Sequence, residues 1–180
     1  MKKFLALMIL AALPLSASAH GPSPQKVEKT ITINAAPAKV WGIVKDFAHP
    51  EVWRTSIVST KVVTKNDENG TSGTYRNLTM KDGSTLEEHL QGIDDADMKF
   101  KYEITDGAVP LKDYYSNIVV TAGPAAGQST ITWTGRFYRK YSLNPPIPLG
   151  QDDESAIKFV NTFYDAALAG LKKAAENSKP

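Results

Sequence analysis

The fold is decided by residues 74–93, which read TYRNLTMKDGSTLEEHLQGI. Apolar and polar side chains alternate on both sides of residues 81–83, and the Lys-Asp-Gly sequence there is typical of a tight turn between antiparallel strands. A three-residue loop places Leu78 opposite Leu86, so the turn fixes the register of this predicted hairpin. Because successive side chains of a strand point to opposite faces, one face of the hairpin is apolar and needs a cover.

Strands with the same two-residue period lie on either side of the hairpin. We predict five of them, at residues 26–34, 58–65, 98–105, 114–121 and 129–138. The Asn-Gly pair at residues 69–70 predicts a second hairpin turn. With no internal repeat and no linker, the sequence predicts one domain over residues 26–176, built on a seven-stranded antiparallel sheet.

Three segments follow a period near 3.6 instead. Residues 37–48 begin with a proline, which suits the first turn of a helix. Residues 51–57 predict a second short helix with Val52, Trp53 and Ile57 turned inward. The segment from Asp152 onward carries acids at its start and then a long apolar stripe. This last helix must cover the apolar face of the sheet. The sequence therefore predicts an α+β fold in which the sheet wraps around a long C-terminal helix, with two short helices after strand 1.

The hairpin register brings two opposite charges onto the apolar face. Arg76 lies opposite Glu88 and shares that face with Leu78 and Leu90. A buried ion pair is costly unless it is well hydrogen-bonded, so its position needs a reason. In one interpretation the pair is the polar end of a ligand cavity, where Arg76 holds a carboxylate or polarises a carbonyl. In the other it lies at the cavity mouth, either solvated or purely structural.

The other candidate residues share the inward face of their strands or the apolar stripe of the last helix. Together with Arg76, Leu78, Glu88 and Leu90, the predicted ligand cavity comprises Phe100, Tyr102, Tyr114, Ile118, Trp133, Phe137, Val160 and Tyr164. The same large side chains would equally form a packed core with no cavity, and this alternative stays open. Gly135 on the same face would leave room.

Residues 1–19 predict a cleavable signal peptide. A basic start is followed by an apolar run that is too short to span a bilayer, and the small residues before position 20 indicate cleavage after Ala19. We therefore expect a periplasmic protein with no membrane span. Residues 20–25 are expected to form an N-terminal arm and residues 177–180 a C-terminal tail.

Composition narrows the choice of partners. Cleavage removes Lys2 and Lys3 from the 21 basic side chains, so the mature chain is balanced against its 19 acidic ones. Without net charge or a basic patch, a nucleic-acid partner is not favoured. The chain has no cysteine, which removes thiolate metal sites and cysteine nucleophiles.

The three histidines offer little chemistry. His20 becomes the N-terminal residue after cleavage, where its amine and imidazole could chelate copper, but no third ligand is visible. His89 should point away from the face of Glu88, and His49 lies between the short helices. We therefore predict no cofactor, no metal and no catalytic residue.

Several of these motifs resemble the polyketide cyclase/START-like (SRPBCC) superfamily. The resemblance is carried by residues 31–41 (ITINAAPAKVW), Trp53, 73–76 (GTYR), 86–90 (LEEHL), 102–104, 114–120 and 132–133. It implies a helix-grip fold, with ligand contacts between the sheet and the last helix. The fold alone does not give the function, since the superfamily contains lipid carriers, hormone receptors and cyclases.

A narrower resemblance comes from the N-terminus. The signal peptide and residues 20–27 (HGPSPQKV) are similar to the periplasmic MxaD proteins of methylotrophic bacteria. That resemblance implies an exported, non-enzymatic accessory protein that assists electron transfer from methanol dehydrogenase to its cytochrome c. The proline-rich residues 144–149 could dock such a partner or simply connect two elements. The alternative function is a carrier or receptor for a small apolar ligand in the predicted cavity, and a cyclase-type enzyme is the weakest hypothesis.

Overall fold

The computed structural model describes residues 21–177, which fold into one sheet and its helical cover. The strands are β1 (Gln25–Ile33), β2 (Ile57–Asn66), β3 (Ser72–Met80), β4 (Thr85–Asp94), β5 (Lys99–Gly107), β6 (Leu111–Ala122) and β7 (Ser129–Arg139). The helices are α1 (Pro37–Val44), a single 3₁₀ turn (Pro50–Val52) and α2 (Asp153–Asn177). The predicted α+β fold, with its antiparallel sheet and long C-terminal helix, is confirmed.

The strands form one antiparallel sheet in the order β1-β7-β6-β5-β4-β3-β2. In the central hairpin Leu78 pairs with Leu86 and Arg76 pairs with Glu88, which confirms the predicted register. The turn between them depends on Gly83, whose φ of 83° lies in the left-handed region that favours glycine.

Helix α2 covers the inner face of the sheet. It begins with acids that interact favourably with the positive end of the helix dipole, and its apolar stripe faces the strands. The buried residues of the stripe are Ala156, Val160, Tyr164, Ala167, Leu168, Leu171 and Ala175. They join the inward side chains of the strands in one main core, which confirms the predicted role of the helix.

The predicted extent of the second short helix, residues 51–57, is wrong. Only one 3₁₀ turn forms, at Pro50–Val52, and Ile57 already pairs with Met80 in the sheet. Strand pairing thus overrides the helical period of this short segment. Trp53 is buried as predicted, whereas Val52 is 57% exposed.

A glycine in α2 holds the segment after the 3₁₀ turn in place. A Cβ atom on Gly170 would collide with the carbonyl oxygen of Trp53, so only glycine allows the helix to approach this closely. The contact fixes the backbone of Trp53 and therefore the direction of the next residue, Arg54.

Some predictions fall beyond the part of the chain that the structure describes. The signal peptide at residues 1–19, His20 with its possible copper, and residues 178–180 of the tail all lie outside it. Within residues 21–177, none of the helices combines the length and the apolar character needed to cross a membrane.

Candidate ligand-binding site

Arg76 and Glu88 form a buried ion pair between neighbouring strands. The Arg76 Nε donates a hydrogen bond of 2.7 Å to Glu88 Oε2, and both side chains are 1% exposed or less. Arg76 Nη1 also donates to the carbonyl oxygen of Phe47, at 3.0 Å. The pair therefore lies inside the protein and not at a solvated mouth.

Arg54 is the third member of this ion cluster. Its Nη1 and Nη2 donate to the two carboxylate oxygens of Glu88, at 2.9 and 2.6 Å, in the bidentate geometry that arginine favours. The sequence analysis missed Arg54, because the proline before it breaks the helical period and leaves no register to assign its direction. We call Arg54, Arg76 and Glu88 the ion cluster.

The charges of the ion cluster are stable in this environment. Burial alone would raise the pKa of Glu88, but the charges of Arg54 and Arg76 outweigh it and hold that pKa below its usual value. Burial lowers the pKa of Arg76, yet arginine titrates so far above neutrality that both guanidiniums stay protonated. The ion cluster thus contains two positive charges and one negative charge.

Aromatic rings enclose the two guanidiniums. Arg76 lies over Phe47, with its Cζ atom 4.3 Å from the ring centre, and Arg54 lies 4.8 Å from the ring centre of Phe163. Tyr102 is within 6 Å of both, at 5.7 Å from Arg54 and 5.5 Å from Arg76. Such faces attract cations and offset part of the cost of burying them.

Beside the ion cluster the predicted aromatic residues pack against each other. Trp133 stacks on Tyr164 with ring centres 4.0 Å apart, and the hydroxyls of Tyr114 and Tyr164 are 2.6 Å apart. Burial raises the pKa of Tyr114 well above its ordinary value, so this hydroxyl is neutral. Gly135 leaves the room for the Tyr164 hydroxyl, which a Cβ atom there would strike. In this part of the interior the rings therefore fill the space.

An apolar cavity of about 120 Å³ lies next to these rings. It is bounded by the β3–β4 turn, the β5–β6 turn and the first half of α2. Its apolar and aromatic lining residues are Met80, Leu86, Ile104, Ala108, Val109, Tyr114, Phe159, Val160 and Phe163. This volume is close to that of engineered apolar cavities that bind benzene.

The structure distributes the predicted site residues over three environments. Tyr114 and Val160 line the cavity, and Arg76 and Glu88 belong to the ion cluster. The rest pack in the core: Leu78, Phe100, Tyr102, Ile118, Trp133, Phe137 and Tyr164 are buried, and Leu90 is partly buried. Phe163 was not among the predicted site residues, although it both lines the cavity and covers Arg54.

His89 lies on the opposite face of the sheet, as predicted. Its ring stacks on Tyr75 at 4.2 Å, and its Nδ1 is 2.8 Å from Glu103 Oε1. Gly73 provides the space beside this ring. In the described part of the chain, no group of three or more histidine and acidic side chains is arranged to hold a metal ion.

An antiparallel sheet that wraps around a long C-terminal helix, with a cavity between the two, defines the helix-grip fold. The chain belongs to the family described as polyketide cyclase / dehydrase and lipid transport, which matches residues 24–176. Two relatives are abscisic acid receptors. PYL2 of Arabidopsis thaliana is 26% identical over 87% of this chain and 82% of its own length. PYL10 of Oryza sativa subsp. japonica is 34% identical over 80% of this chain and 68% of its own.

Solved structures agree on the fold. The XoxI protein of Bacillus cereus has a TM-score of 0.67 and 26% identity, and the match covers 84% of this chain and 96% of that one. An aromatase/cyclase from a Streptomyces species, ZhuI, has a TM-score of 0.66 over 86% of this chain and 94% of its own. At 14% identity, the second likeness concerns the fold alone. The curated sequence relatives named here are thus receptors, whereas the cyclase shares only the fold.

Proposed function

We propose that the protein binds a small, largely apolar molecule between the sheet and α2, as a carrier or a receptor. The observation that supports this most is the position of the apolar cavity directly beside the buried ion cluster. A binding site usually combines an apolar lining with a few placed polar groups. Phe163 belongs to both parts, so the distance between them is one side chain.

The relatives support binding more than catalysis. The two receptors named above share 26% and 34% of their aligned residues with this chain, whereas the cyclase shares 14%. Catalysis of a cyclisation also requires an acid–base group within reach of the substrate. Within residues 21–177, the histidine nearest the ion cluster in sequence, His89, lies on the far face of the sheet.

Closing the cavity tests the proposal. Ala108 lies in the β5–β6 turn at the cavity wall, so Ala108→Trp should obstruct the cavity without disturbing the core. Ala126, in the loop between β6 and β7 at the other end of the sheet, is exposed and gives the matched control Ala126→Trp. We expect 1-octanol, followed by calorimetry and tryptophan fluorescence, to bind the wild type and the control and to bind Ala108→Trp at least ten-fold more weakly. Equal binding to all three proteins, or to none, would contradict the proposal.

The accessory role in periplasmic methanol oxidation stays a prediction and is our second candidate. One observation supports it: Leu149 is fully exposed and Leu143 is 67% exposed, at the two ends of the proline-rich connection. Proline-rich segments are a recurring element of protein–protein recognition, because their backbone is ordered before binding. Electron transfer from purified methanol dehydrogenase to its cytochrome c, measured with the wild type and with Leu149→Ser, tests it. A rate that does not respond to the protein would remove this candidate.

A further inference from the structure

The ion cluster leaves one positive charge uncompensated inside the protein. Among the described residues, Glu88 is the only carboxylate bonded to Arg54 or Arg76, and all three side chains are almost completely buried. A buried charge without a counter-ion is among the costliest arrangements in a protein interior. The surrounding rings offset this cost in part, because the face of an aromatic ring attracts a cation.

Hydrogen-bond donors at the same place are also unsatisfied. Arg54 Nε and the Tyr102 hydroxyl are buried and have no well-directed acceptor within the described part of the chain. The Tyr102 hydroxyl lies near the hydroxyls of Ser116 and Tyr114, but it forms a well-directed hydrogen bond with neither. Burial also raises the pKa of Tyr102, so the hydroxyl keeps its proton and can donate. Oxygen atoms of a guest molecule would satisfy these donors.

We propose that the bound molecule is an organic monoanion, whose carboxylate faces Arg54 and Tyr102 while its apolar body occupies the cavity. This inference rests on the proposed ligand-binding function and adds the charge and the orientation of the ligand. One negative charge brings the ion cluster to neutrality, and the two oxygens of a carboxylate accept from guanidinium and hydroxyl donors together. A neutral alcohol supplies an acceptor but leaves the charge uncompensated.

Phe163 separates the two halves of this site. Its ring lines the cavity on one side and lies over the Arg54 guanidinium on the other. The ring is only partly buried, so its rotation toward solvent would lose the edge contact with Trp133 and the stack on Phe159 but would not empty a fully buried position. When it turns away, the cavity and the ion cluster become one continuous space. Phe163→Ala should therefore strengthen octanoate binding, because the ligand no longer has to displace the ring.

The test compares octanoate with 1-octanol, which share an eight-carbon body and differ in charge. At pH 7 we expect the wild type to bind octanoate at least ten-fold more tightly than 1-octanol, as measured by calorimetry. Arg54→Gln should abolish this preference, so that octanoate and 1-octanol bind to the variant with affinities within about three-fold of each other. Glu88→Gln makes the ion cluster more positive and should increase octanoate affinity. General damage to the fold would lower the affinity, so an increase identifies the charge as the cause. Circular dichroism confirms that each variant is folded.

The outcomes separate the inference from the function on which it rests. Equal affinity for octanoate and 1-octanol in the wild type would overturn the inference and leave the ligand-binding function in place. Failure of both compounds to bind, in the wild type and in Phe163→Ala, would overturn both. A preference for octanoate that persists in Arg54→Gln would also overturn the inference, because the charge would then be recognised elsewhere.

Discussion

Replacing Glu88 by glutamine should strongly destabilise the protein. The carboxylate accepts three hydrogen bonds of 2.6 to 2.9 Å from two arginines, and the surroundings exclude water. Glutamine keeps the shape and one acceptor but removes the negative charge that Glu88 places between the two guanidiniums. Breaking a buried ion pair typically costs 3–5 kcal/mol, and we expect a loss of about 4 kcal/mol in the free energy of unfolding. For a domain of this size that corresponds to a melting temperature lower by about 8–16 °C.

The adjacent residue provides the matched control. Glu87 lies in the same strand but on the outer face, where it pairs with Lys65 at 2.8 Å. The Lys65 side chain is 45% exposed and that of Glu87 is 17% exposed, so solvent reaches this pair but not Glu88. Because a solvent-accessible ion pair contributes little, Glu87→Gln should cost less than about 1 kcal/mol. Urea unfolding at pH 7, followed by circular dichroism and tryptophan fluorescence, gives both values on the same scale. If Glu88→Gln costs no more than Glu87→Gln, then the ion cluster is hydrated in solution and the argument from its burial fails.

Three further predictions concern pH and two glycines. The pKa of Glu88 is lower in the folded protein than its unfolded value near 4.5, so its stabilising effect is complete above that value and is lost as the pH falls through the folded pKa. The difference in unfolding free energy between the wild type and Glu88→Gln should therefore shrink below about pH 4. A constant difference in urea unfolding from pH 7 to pH 3 would contradict this. Gly135→Ala forces the Tyr164 hydroxyl away and should cost about 1–3 kcal/mol, with a changed near-ultraviolet spectrum. Gly42→Ala, in an exposed part of α1 with open space around the glycine, should stabilise by about 0.5–1 kcal/mol, and a loss of stability in the same assay would refute that.

The sheet could be predicted well because its signals are local. The turn at residues 81–83 fixes which residues face each other, and the two-residue period then assigns the face of every side chain in β3 and β4. The pairing of Arg76 with Glu88 followed from these two rules alone. The length and stripe of α2 likewise identified the element that covers them.

The site could be predicted only in part, because its remaining members depend on tertiary structure. Arg54 enters the ion cluster from a segment whose direction is set by Gly170, more than a hundred residues later. No period within residues 50–57 indicates that approach. The sequence also did not show whether aromatic residues line a space or fill it. Trp133 and Tyr164 fill it, since they stack on each other, while Phe163 one residue earlier borders the cavity.

The composition of the ion cluster is itself an argument about function. Three apolar side chains of similar size would pack the same space without any cost of desolvation, and such replacements of buried ion clusters are often neutral or stabilising. The structure instead holds two arginines in an aromatic enclosure, one carboxylate short of neutrality and separated from an apolar cavity by the Phe163 side chain. Stability alone does not account for charges in that ratio and at that position. A guest molecule that supplies the missing negative charge does account for both.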